Sequence, residues 1–138
     1  ILWVGPATFS QDSRKVLAQY RSQEQANFVI IEFDTETKET KTIGDSRIIR
    51  LLPYEEETFR KELKSGFYFI TYSPGGEGII FASNLPTGEK KSSTDLFWLK
   101  FGEQKAELRA SFETSTRSFG GQDVSLIGWY KVRQVNPE

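Results

Sequence analysis

Apolar residues along the chain fall into short runs divided by polar stretches rich in Gly, Pro, Ser and Thr. In residues 27–33, NFVIIEF, Phe28, Val29, Ile30, Ile31 and Phe33 are apolar on both faces, which predicts a strand covered on both faces. Before it, a short apolar segment (1–5) ends at Gly5-Pro6, and Ser10 is placed to cap a helix over 11–22. Val16, Leu17 and Tyr20 would share one face of that helix. A turn at 34–37 leads into a polar, Thr-rich strand over 38–43, and RIIRLL predicts another over 47–52. A second helix follows Pro53. Glu55, Glu56 and Glu57 load its first turn, Lys61 and Lys64 its last turns, and Ser65-Gly66 closes it, a charge order that complements the helix dipole.

From residue 67 the period becomes that of strands. FYFITY (67–72) and GIIFAS (78–83) flank the turn signal SPGG and predict a hairpin. TGEKKSST (87–94) reads as a solvated loop, and DLFWLKF (95–101) as a buried strand. Residues 105–119 carry two patterns. Ala106, Leu108, Ala110 and Phe112 alternate with polar residues as in a strand, while Leu108, Phe112, Ser115 and Phe119 mark a helical face. The alternation and the preceding tight turn favour the strand. Gly120-Gly121 turns the chain into a last strand over 123–135. The expected fold is a single domain over 1–138, α+β and β-rich. It is a curved antiparallel meander sheet or small barrel with two helices. No linker or repeated segment is evident.

Composition narrows the chemistry. The 138 residues include no Cys, His or Met. No disulfide, thiolate nucleophile, imidazole base or Cys/His-ligated metal is available. Phosphate-loop, dinucleotide and nucleophile-elbow motifs are absent from the sequence, so the expectation is a non-enzyme without metal or cofactor. Eighteen bases against nineteen acids, spread evenly, argue against nucleic acid as partner. No apolar run is long enough to span a membrane. A start at Ile1 and the lack of Cys fit a secreted protein after removal of a leader, and equally a cytoplasmic one.

What remains is recognition. Trp3, Trp129 and Tyr130 are candidate contacts. Trp129 and Tyr130 are neighbours on a predicted strand, so one of them faces outward. Lys105, Arg109 and Arg117 are candidate basic contacts, interleaved with Glu107 and Glu113. The leading expectation is a binding module that recognises another protein through an aromatic-containing sheet face. The alternative is a lipocalin-like carrier of an apolar small molecule, its cavity lined by Phe81, Phe97 and Phe101.

One stretch is similar to a known family. DSRKVLAQYRSQ followed by ANFVIIEFDTETKETKTIG resembles the opening of the actin-depolymerising (cofilin homology) domain. The resemblance implies a helix, a hairpin, a second helix and further strands. KAELRASFETSTRSF would then be the long actin-binding helix, with Lys105, Arg109 and Arg117 as its contacts, and actin binding a further alternative.

Overall fold

The computed structural model describes residues 2–52, 66–88 and 91–115. Among them there are ten strands and no helix: β1 Leu2–Trp3, β2 Thr8–Phe9, β3 Lys15–Ser22, β4 Asn27–Asp34, β5 Thr40–Asp45, β6 Arg50–Leu52, β7 Tyr68–Tyr72, β8 Gly78–Gly88, β9 Lys91–Lys100 and β10 Lys105–Ser115. They form two five-stranded sheets. In the first, β1 and β2 pair with successive stretches of β3, which continues to β4 and β5. The second runs β6-β10-β9-β8-β7, antiparallel except that β6 lies parallel to β10. The sheets are not closed into a barrel.

This corrects the α+β expectation. Residues 11–22 form a turn and β3, not a helix. Leu17 and Gln19 face the second sheet, while Val16, Ala18 and Tyr20 face away. Apolar residues on both faces of one strand reproduce part of a helical spacing, and that is why the period misled. Ser10 does accept an N–H, but from Lys15, closing a turn. The second expected helix (53–65) and the last strand (123–135) lie outside the described residues. The loop expected over 87–94 is largely paired. β8 and β9 continue as a hairpin to Gly88↔Lys91, since ladder hydrogen bonds need no apolar side chains. Residues 105–115 are β10, which overturns the actin-binding helix that the family resemblance implied.

A common core joins the sheets. Leu17, Phe28 and Ile30 from the first sheet meet Ile49, Leu51, Phe67, Ile79, Phe81, Phe97, Leu99 and Ala106, all under 7% exposed. Phe81 and Phe97 stack at 5.7 Å, and Phe67 meets Phe81 edge-on at 4.8 Å. Polar contacts also cross the interface, and Gln19 makes two of them. Gln19 Nε2 donates to the Phe67 carbonyl, and the Phe67 N–H donates to Gln19 Oε1, both at 2.9 Å. Gly66, at φ +87°, lets the chain pass there; a Cβ would stand 2.8 Å from Gln19 Oε1 and from Phe28.

The two sheets repeat one plan. The turn before β3 has Ser10 N–H bonded to Lys15 O at 2.8 Å, Ser13 N–H to Ser10 O at 2.9 Å and Lys15 N–H to Ser10 Oγ at 3.0 Å. The turn before β8 has Ser73 N–H bonded to Gly78 O at 2.9 Å, Gly76 N–H to Ser73 O at 2.9 Å and Gly78 N–H to Ser73 Oγ at 3.1 Å. The fourth residue of each has positive φ, Ser13 at 61° and Gly76 at 74°. Gly78 then packs so closely that a Cβ would lie 2.2 Å from the Leu99 carbonyl oxygen. Gly78→Ala is therefore expected to lower stability by about 2–3 kcal/mol in thermal or urea unfolding, because backbone, not a movable side chain, is in the way.

Candidate functional site

The repeat fixes which faces are used. Aligning the turns places Val16, Ala18, Ile31 and Phe33 at the positions of Ile79, Phe81, Phe97 and Leu99. In the second sheet that face is buried against the first sheet. In the first sheet the corresponding face points outward. Val16, Ala18, Ile31 and Phe33 are only half-buried there, and Trp3 and Phe9 extend the face along the edge at 59% and 60% exposure. Register explains this: Trp3 lies opposite Tyr20, and Phe9 opposite Val16. Trp3 meets Tyr20 edge-on at 5.7 Å. Alternation thus collects Trp3, Phe9, Tyr20 and Phe33 on one side of a sheet with aliphatic residues between them.

The far end of this face turns polar. A groove of about 520 Å³ is bordered by Tyr20, Asn27, Thr42, Asp45 and Arg47. Asn27, 2% exposed, donates from Nδ2 to Asp45 Oδ1 at 2.9 Å. Arg47 pairs with Asp45 Oδ2 at 2.9 Å. Burial works against the Asp45 charge, but hydrogen bonds from Arg47 and Asn27 prevail and hold its carboxyl below the ordinary range. Asp45 is thus a fixed anion that positions Arg47 at the rim.

A second concavity lies between the sheets at the turn end. The groove, about 890 Å³, is bordered by Phe9, Asp12, Lys15, Glu32, Tyr72, Pro74 and Phe101. Glu32 is 8% exposed, receives the Tyr72 hydroxyl at 2.9 Å and faces Lys15 Nζ at 3.8 Å. Burial and the adjacent carboxylate push the Tyr72 phenol above its ordinary range, so it stays a donor to Glu32.

The sequence-derived candidates land in different places. Trp3 is on the outward face. Lys105 opens β10 and is exposed, on the other sheet. Arg109 stacks over Trp98 at 4.8 Å and pairs with Glu107 at 3.3 Å, so neighbours already hold it. Arg117, Trp129 and Tyr130 lie outside the described residues. Phe81 and Phe97 are fully buried in the core and border neither of these grooves, whereas Phe101 borders the inter-sheet groove. Sequence reasoning missed Phe9, Ile31, Phe33, Glu32 and Tyr72. Phe33 and Ile31 were legible as the second face of a strand with apolar residues on both faces. Glu32 carried no signal beyond its being the one charged residue inside that run.

Among the described residues no three Asp or Glu gather as a metal site, and no helix is long and apolar enough to cross a membrane. Comparison of the chain with family models, known proteins and solved structures finds no match.

Proposed function

We propose that the protein is a non-enzymatic binding module that recognises another protein by packing a β-sheet onto the outward face of its first sheet. The observation that carries this is the outward apolar set Trp3, Phe9, Val16, Ala18, Ile31 and Phe33. Its counterpart in the second sheet is the surface on which a sheet of this same chain is packed. Contiguous exposed apolar surface of this kind marks interaction sites, and Trp and Phe make the strongest anchors. The polar groove at Asn27, Asp45 and Arg47 gives the face a directional end, which favours one register of docking over others. The full burial of Phe81 and Phe97 supports this reading over the carrier of an apolar ligand.

An apolar face that drives recognition lowers its free energy by being covered, and in a solution of the chain alone a second copy can cover it. Sedimentation velocity over a range of concentrations is expected to show reversible self-association. Ile31→Asp, at the centre of the face, is expected to weaken it by at least about tenfold while leaving the far-ultraviolet circular dichroism unchanged. Wild type and Ile31→Asp that sediment as the same monomer throughout would overturn the reading.

A further inference from the structure

The inter-sheet groove is a different surface from the outward face, although Phe9 borders both. Its walls are rings: Phe9, Tyr72 and Phe101, with Tyr72 and Phe101 edge-on at 6.3 Å. Its floor is the Glu32 carboxylate. A carboxylate this buried ordinarily has a close, well-formed cationic partner. Glu32 does not. Lys15 Nζ stands 3.8 Å away, well beyond a charge-assisted hydrogen bond, on a side chain that is 45% exposed. The Tyr72 hydroxyl takes one lone pair of Oε2, and carboxylate oxygens together accept about four hydrogen bonds.

Charge in the groove is also one-sided. Asp12 stands at the rim. Its Oδ1 receives the Ser10 hydroxyl and the Arg14 N–H, and these bonds hold its carboxyl below the ordinary range. Arg14 is turned away, paired with Asp34 and Glu36. Two carboxylates therefore face one loosely held ammonium. A second groove, about 440 Å³, shares Lys15, Glu32, Gly76 and Phe101 with the first and adds Lys41, which lies opposite Glu32 on β5 without closing an ion pair to it.

We propose that this groove binds an arginine side chain presented by a partner polypeptide. The guanidinium takes the place of the Lys15 ammonium on Glu32, and its plane lies against the rings of Tyr72 and Phe101. A guanidinium fits these features better than an ammonium. It is planar and weakly hydrated, stacks on aromatic faces and bonds a carboxylate with two parallel N–H groups. Displacing Lys15 costs little, because its stem already reaches solvent and its contact with Glu32 is long.

The test is titration of ¹⁵N-labelled protein with three blocked amino acids: Nα-acetyl-arginine amide, its lysine analogue and its norleucine analogue. The expected result is amide shifts confined to the turns at 10–15 and 73–78 and to Phe101. The arginine compound is expected to bind in about the millimolar range, at least about tenfold tighter than norleucine and severalfold tighter than lysine. Glu32→Gln keeps an acceptor for Tyr72 but loses the charge, and should weaken binding by about tenfold. Lys15→Ala removes the competing cation and should tighten it severalfold. Equal affinity for norleucine would make the groove merely apolar and overturn the proposal. Equal affinity for lysine would overturn the guanidinium. Should Glu32→Gln fail to fold, Lys15→Ala still decides, since unchanged or weaker binding there is incompatible with displacement of Lys15.

Discussion

Phe81→Ala is expected to lower the free energy of unfolding by about 4 kcal/mol, near the upper end of what truncating one core side chain does. Phe81 is 0% exposed and lies between two other rings, stacked on Phe97 and edge-on to Phe67. Truncation removes the transfer free energy of the ring, about 2–3 kcal/mol. It also leaves a void that neighbours on paired strands cannot collapse into. Aromatic geometry adds about 1 kcal/mol that is lost with it. Urea denaturation followed by tryptophan fluorescence measures the change. Phe9→Ala is the control: at 60% exposure it should stay within about 0.5 kcal/mol of wild type. Equal, small losses for both would mean that the ring cluster is not the rigid centre of the molecule.

Gln19→Ala comes next, at about 3 kcal/mol. The amide of Gln19 stands in for a ladder partner, giving Phe67 a donor and an acceptor at 2.9 Å where the two sheets meet. Without it, the Phe67 N–H and carbonyl are buried and unpaired, and each costs about 1–3 kcal/mol. Gln19→Glu separates the two bonds. The carboxylate still accepts from the Phe67 N–H but meets the carbonyl lone pairs, and burial also opposes its charge. Its folded pKa is therefore raised above the unfolded value. The native state then binds the extra proton, so the variant loses stability as pH rises through the carboxyl range. It should approach wild type near about pH 4 and fall away toward about pH 7. A pH-independent difference between Gln19→Glu and wild type would refute the paired geometry.

Strands were legible in the sequence where apolar residues ran together or alternated cleanly. NFVIIEF, FYFITY, GIIFAS and DLFWLKF coincide with β4, β7, β8 and β9. Residues 11–22 failed for a physical reason. A serine whose oxygen receives an N–H looks the same before a helix as in the Ser10 turn, and only the partner, Lys15, tells them apart. The repeat was hidden because its chemistry is kept in hydrogen bonds rather than in residues. Asp12-Ser13 in one turn and Gly75-Gly76 in the other reach similar geometry, one through side-chain bonding and one through free backbone rotation. Of the candidate site, Trp3 was visible as an apolar aromatic near an edge. Glu32 was not, because its importance comes from Tyr72 and Lys15, which lie 40 and 17 positions away in the chain.

The parallel pairing of β6 with β10 has a kinetic consequence. Leu51 lies beside Ala106, and Arg50 N–H bonds to the Gln104 carbonyl at 2.8 Å. Every other pairing among the described residues joins strands close in sequence, most of them as hairpins, which close in microseconds. The β6 strap instead closes a loop of 55 residues (106 − 51), and it does so only after β10 has been placed by β9. It is therefore expected to be the last contact to form among the described strands of the second sheet. Weakening it, as with Leu51→Ala, should leave the refolding rate nearly unchanged and accelerate unfolding, because the interaction is absent from the transition state. On that expectation the strap is a latch, setting how long the folded molecule lasts and hardly at all how quickly it is made.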